Sequence, residues 1–286
     1  VTHDEMNRRL GELLKKADTN IDDMLVGYEK ELRNSYREAL GNIKRQIADM
    51  YERYGNDVNY SDMVSYNRLT NLENNIQVEL AKLYKKGTKT ISKSITSIYE
   101  ESYNLTGSAI QKTLGVKSGF GLLNPQAVKA SVLNPLDRIQ WGERAADHIQ
   151  QLNNTIRQEI TQGLIQGKGY AKVAKAITER TEIAGGRALT IVRTETHRVQ
   201  NAARDLAFEK ANGSAKRLGL EIRKKWLHKS RKGEREEHKR MNGVLANKDG
   251  IFKLPSGIET PGPGLSGVAA EDINCTCTVA SEIIGL

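Results

Sequence analysis

Ile21, Leu25, Tyr28, Leu32, Tyr36, Leu40, Ile43, Ile47, Met50 and Tyr54 recur at spacings of three and four. That is the period of an α-helix, and it makes one apolar stripe over roughly nine turns. A helix of this length cannot bury such a stripe against itself. It requires partner helices, and this points to a fold of long amphipathic helices. Asn20 or Thr19 is expected to cap the start and Gly55 to end it.

Partners follow along the chain. Met63, Tyr66, Leu69, Leu72, Ile76, Leu80 and Leu83 form a second stripe, with Ser61 as its N-cap and Gly87 as its stop. Ile91, Ile95, Ile98 and Leu105 form a third, richer in Ser and Thr. Aromatic residues make up only 5% of the chain and charged residues 28%, which suits long helices better than a thick central core. The glycines and prolines between Gly115 and Pro135 read as a linker with one short helix between Pro125 and Pro135. Helical periodicity resumes from Leu136 to Leu164, then in a short helix from Tyr170 to about Thr181. Gly185-Gly186 is expected to break it, and a last long helix runs from Arg187 to Asn212 with Gly213 as C-cap. Beyond it, Leu220 to Leu227 reads as a strand and Glu234 to Met241 as a short helix. Val244 to Leu254 reads as a hairpin turning at Asn247-Lys248-Asp249-Gly250, and Cys275 to Ile283 as a final strand. The expected fold is mainly α, with a long N-terminal helical hairpin or bundle and a smaller α+β C-terminal domain. The expected division is a partner-binding helical region at 1–114, a linker at 115–135 and an α+β domain at 136–286.

The formal net charge is +9, and its whole excess lies between Lys168 and Arg240. A localised basic field implies an anionic partner, nucleic acid or an acidic protein surface; the alternative is a solvated helix face. Arg223, Lys224, Lys225, Lys229, Arg231 and Lys232 bracket Trp226 and are the candidate phosphate contacts. Trp226 is read as a core residue, or else as a base-stacking platform. Two cysteines cannot make a disulfide framework, so a reducing compartment is expected. No apolar stretch is long enough to span a bilayer, and no signal-peptide pattern is present.

Two groups carry possible chemistry. Cys275 and Cys277 together with His238 and His228 form a candidate zinc site, since thiolate and imidazole suit that ion. Against it, zinc knuckles usually place two residues between their cysteines. The alternatives are two small core residues beside a turn, with His238 bonded to backbone, or a redox pair. Arg193, Glu195, His197 and Arg198 share a helix; Glu195 and Arg198 are spaced to form an ion pair, and Glu195 with a histidine would make an acid–base pair.

The order of the pieces is more specific than any one of them. Arg193-Thr194-Glu195 on a helix is followed by Trp226, Arg235-x-x-His238, Asn242-Gly243, Pro255-Ser256-Gly257, Pro261-Gly262 and Asn274-Cys275-x-Cys277. This order resembles the phage head-morphogenesis family typified by the F protein of phage Mu, minor head proteins of tailed bacteriophages. The resemblance runs from about 136 to 286 and is densest over 187–201 and 226–277. It departs from the family where Lys229, Ser230 and Arg231 stand in place of an acidic residue, and where Thr276 stands in place of Arg. The resemblance implies a minor capsid protein bound at the portal or inner capsid, contacting viral double-stranded DNA non-specifically and acting in head assembly and genome ejection. Its location would be the virion interior, after the host bacterial cytoplasm during assembly. It implies no catalytic residues, no enzyme activity, no membrane partner while in the capsid and no cofactor beyond the candidate zinc. Arg193, Glu195 and Trp226 would be structural parts of the motif. The rival readings are a nucleic-acid-processing enzyme or toxin-like domain using Glu195, His197, His228 and His238, and a DNA-binding module alone.

Overall fold

The computed structural model describes residues 2–115, 123, 125–133, 138–230 and 234–285. The long helices are longer than the periodicity predicts. Helix α1 spans His3–Tyr54 and ends at Gly55, whose φ of 89° no side-chain-bearing residue adopts easily. Thr19 and Asn20 do not cap it. They lie inside the helix, because Leu10, Leu14 and Ala17 carry the buried stripe further upstream. Thr19 bonds back to the Lys15 carbonyl instead.

From Leu69 onward the second and third stripes are one helix. A short helix α2, Tyr60–Val64, is capped by Asn59 through a reciprocal pair of bonds with Asp62, so Asn59 and not Ser61 is the N-cap. The chain breaks at Tyr66 and Asn67, both at φ 57°, and Tyr66 is 85% exposed. Helix α3 then runs unbroken over Arg68–Leu114. Gly87 does not stop it, and a Cβ there would rest 3.4 Å from Leu32 Cδ1. A single interior glycine costs a helix only about 1 kcal/mol, which long stripes on both sides outweigh.

Helix α4 is Pro125–Leu133 and α5 is Trp141–Ile165. The expected elements at Gly119, Gly121, Pro135 and Leu136 lie outside the described residues. Helix α6, Tyr170–Lys216, passes straight through Gly185-Gly186 and Gly213, where two helices were expected. It ends at Lys216, and Gly219, with φ 71°, completes the turn that leads to the first strand.

The expected strands form, with one displaced hairpin. Strand β1, Leu220–Leu227, is followed by a short helix α7, Glu236–Arg240. Strands β2, Phe252–Lys253, and β3, Glu259–Thr260, follow, then α8, Ala269–Asp272, and β4, Thr278–Gly285. β1 pairs antiparallel with β4, placing Trp226 opposite Val279. The Asn247–Gly250 turn is present, closed by the Asn247 side chain accepting from Asp249 N and Ile251 N. Its preceding arm pairs with β1 instead of closing a hairpin, through Trp226 N to Val244 O at 2.9 Å. The hairpin is β2–β3, turning through Gly257 with φ 86°.

Two compact units result, each assembled from separated stretches of sequence. One comprises 1–27, 92–141 and 192–286. Its core joins Leu10 and Leu14 of α1, Ile110 of α3 and Phe208 of α6 to Ile222, Trp226, Phe252, Cys275, Cys277, Val279 and Ile283. The other comprises 28–91 and 142–191 and is entirely helical in its long elements. Ile43, Ile47, Ile76, Leu80, Ile156, Ile160 and Ile177 are buried in it, and Tyr51 donates to the Lys168 carbonyl at 2.7 Å. Among the described residues no helix is long and apolar enough to cross a membrane.

Candidate functional site

The C-terminal half of α6 presents a polar stripe to the segment around β4. Thr194, Arg198, Asn201 and Arg204 recur at spacings of four and three, so they lie along one helical face. All four are buried. The Thr194 hydroxyl accepts from Asn274 N at 3.0 Å. Arg198 Nε donates to the Gly264 carbonyl, and its guanidinium pairs with Glu195 at 2.9 Å. The Asn201 side-chain amide donates to the Pro263 and Cys277 carbonyls, while its oxygen accepts from Val279 N at 2.9 Å. Arg204 reaches the Val279 carbonyl and pairs with Asp18 at 2.7 Å. These bonds satisfy backbone groups of the loop before β4, which has no ladder of its own, and of Val279 at the start of β4. Asp272 completes the clamp by accepting from Ser266 N, Ser266 Oγ and Gly267 N. Burial pushes its carboxyl pKa up despite those bonds.

Beside the clamp lie the cysteines and histidines. His228 follows β1, His238 sits on α7, and Cys275 and Cys277 precede β4. Asn274, at φ 58°, turns the chain into the cysteine segment. His238, Cys275 and Cys277 bring a ligand atom each to one buried point. Cys275 Sγ lies 3.5 Å from His238 Nδ1, and Cys277 Sγ lies 3.5 Å from His228 Nδ1 and 3.9 Å from His238 Nδ1. Each imidazole carries a carboxylate on its far nitrogen. His228 Nε2 is 3.0 Å from Glu234, and His238 Nε2 is 2.8 Å from Glu271. His238 is thus held by side chains, where one of the sequence alternatives had it bonded to backbone. Burial lowers both histidine pKa values, but bonds to Cys277 and to the carboxylates outweigh it and raise them. Cys277 is pulled down by its bond from Cys275 and by the two imidazoles, while Cys275 is pushed up by donating that bond and by burial.

The remaining sequence candidates separate. Trp226 is 1% exposed and packs edge-on against His238 and Phe252. Arg193 is half-buried on α6. Buried His197 has its pKa lowered, first by burial and then by the charge of Lys229. Lys224 pairs with Asp205 at 2.7 Å and donates to the Pro261 carbonyl. Lys225 pairs with Glu282, Lys229 with Asp22, and Arg223 more loosely with Glu221 at 3.7 Å. Arg231 and Lys232 lie outside the described residues. Asn201, Arg204, Glu234 and Glu271 were not singled out from sequence. A polar stripe at helical spacing was the available signal for the first two; the carboxylates had none.

Comparison with known proteins places this arrangement. Residues 154–280 match the family described as Phage Mu protein F like protein, a span that contains the clamp and all four cysteine and histidine residues. The chain is 28% identical to Minor head protein GP7 of Bacillus phage SPP1 over 95% of its own length and 87% of that protein. It is 29% identical to an NAD(+)–arginine ADP-ribosyltransferase of Enterococcus faecalis, over 90% of its own length but about half, 52%, of that protein. No solved structure matches. The Mu F-like match over its C-terminal part and its likeness to a minor head protein along nearly its whole length both point to the phage head-morphogenesis family.

Proposed function

We propose that this chain is a head-morphogenesis protein that docks on the portal or inner capsid during assembly, is packaged in the virion, touches DNA non-specifically and acts in genome ejection. The observation that carries this reading is the likeness to Minor head protein GP7 across 95% of this chain and 87% of the phage protein. The work done by the buried polar residues agrees with it: Arg198, Asn201 and Arg204 hold backbone carbonyls, as a scaffold requires.

For DNA contact, the best-placed cations are Arg223, Lys225 and Lys229. Their ion pairs are partly exposed, with 29%, 35% and 32% of each basic side chain accessible. Such pairs contribute only about 0–1 kcal/mol, so exchange of a carboxylate for a phosphate is cheap. Lys224, 11% accessible and bound twice, stays structural. Virion assembly with and without the chain tests the proposal. The chain should sediment with heads when portal is present, and heads lacking it should assemble or eject DNA poorly. Heads that exclude it would sink the reading. DNA affinity should fall steeply with salt, and R223A/K225A/K229A should flatten that slope.

The transferase relative supports a second reading, in which the chain transfers ADP-ribose to arginine. The half of that protein shared with this chain is also shared with the minor head protein, so the activity in its name fits better in its unshared half. Nicotinamide release from NAD+ with an arginine acceptor would decide for the transferase.

A further inference from the structure

We infer that His228, His238, Cys275 and Cys277 hold one structural zinc ion in a closed four-ligand site. Three features of the geometry carry the inference, and none depends on the head-protein role.

The first is spacing. Zinc bonds are about 2.3 Å to sulfur and about 2.0–2.1 Å to nitrogen; diverging tetrahedrally, they hold neighbouring sulfur and nitrogen ligands about 3.5–3.6 Å apart. The observed sulfur–nitrogen separations are 3.5, 3.5 and 3.9 Å. His238, Cys275 and Cys277 bring their ligand atoms within 4.8 Å of one another, while His228 meets this set at Cys277 and becomes the fourth ligand by closing on the ion from that side.

The second is the outer ring. Glu234 and Glu271 each face the Nε2 of one histidine. A carboxylate there accepts a hydrogen bond from Nε2–H and so fixes that tautomer, which leaves the Nδ1 lone pair aimed at the sulfurs. This is the carboxylate–histidine–metal arrangement, and it occurs twice. A pair of core cysteines beside a turn has no need of two such oriented imidazoles.

The third is the ligand set and its surroundings. Two thiolates and two neutral imidazoles cancel the charge of one divalent ion, which suits a site where Cys275, Cys277 and His238 are each at most 3% exposed. Each thiol gives its proton to solvent on ligation. Four protein ligands leave no open position, so the ion serves folding and not catalysis. The region needs such a tie. Between β1 and β4 the regular elements among the described residues are two short helices and two two-residue strands. An ion at this point joins the end of β1, helix α7 and the start of β4, at a histidine that Trp226 packs against edge-on.

The test uses the full chain, reduced and stripped of metal, titrated with Co(II) and separately with Zn(II). The expected result is one equivalent bound, with the intense visible bands of tetrahedral cobalt and a thiolate charge-transfer band. Zinc should displace the cobalt, and a chelator should lower the Tm of the zinc-loaded chain. Glu271→Gln keeps the core intact and should weaken metal affinity about 10–100-fold while the tetrahedral bands persist. His228→Ala should lose those bands or shift them as water replaces the fourth ligand. No cobalt uptake, or only the faint spectrum of six-coordinate cobalt, overturns the site. Unchanged affinity and bands in His228→Ala overturn the fourth ligand, and an unchanged Tm after chelation overturns the structural role. Because the wild-type titration decides the first point, a misfolded cysteine variant is not needed.

Discussion

The two units of this molecule are built on opposite principles. In the helical unit, over 28–91 and 142–191, isoleucines and leucines at helical spacing are buried, and most polar contacts are exposed pairs such as Lys86–Glu38 and Arg180–Glu159. In the other unit a modest apolar core is joined by a fully buried polar stripe and a thiol–imidazole cluster. Stripes of apolar residues need only approximate fit, because burial is non-directional. The polar unit needs each donor to meet its acceptor, because an unmet buried group costs about 1–3 kcal/mol. The first kind of core tolerates sequence change and the second does not.

Substitutions can break this contrast. Arg204→Met should have the largest effect, since it removes the partner of Asp18 and a bond to the Val279 carbonyl. Losing one member of a buried pair costs roughly 3–5 kcal/mol, readable by chemical denaturation, and Asp18→Asn in the same chain should recover part of it. A cost below about 1 kcal/mol would show that the clamp is not stabilising. Ile156→Ala, fully buried in the helical unit, should cost roughly 2–5 kcal/mol through its cavity and leave metal affinity unchanged. Gly186→Ala should instead raise stability by roughly 1 kcal/mol, because the glycine is inside α6 and nothing lies within 4 Å of the added methyl. Destabilisation there would mean that α6 needs its glycine flexibility.

The smallest effect belongs to His197. Its folded pKa is depressed below 6.5, so the contribution is complete above that value and is lost as pH falls through the folded pKa. Stability should therefore fall on the acid side of pH 6.5, and His197→Gln should make that fall shallower. A fall of equal steepness in the variant would assign the acid sensitivity to other groups.

The fold was largely legible because apolar period is a local property. The stripe from Ile21 to Tyr54 announced α1, and the alternation around Trp226 announced β1. Glycine misled at Gly87, Gly185 and Gly186, where packing on both sides overrides a local penalty of about 1 kcal/mol. The hairpin at Val244–Leu254 misled because its turn chemistry is real, but β1 captured the preceding arm. The site was half legible. Cysteine and histidine stood out by type, whereas Asn201 and Arg204 fell on a face read only for apolar residues.

The sequence by itself determined the helical periods, the placement of the basic charge and the order of motifs that resembles the head-morphogenesis family. Those depend on residues close together in the chain. Only the tertiary structure decided that Glu234 and Glu271 stand behind the two histidines, and that a polar stripe on α6 grips the loop before β4. Partners separated by tens of residues leave no periodic trace, and their meeting is fixed by packing alone.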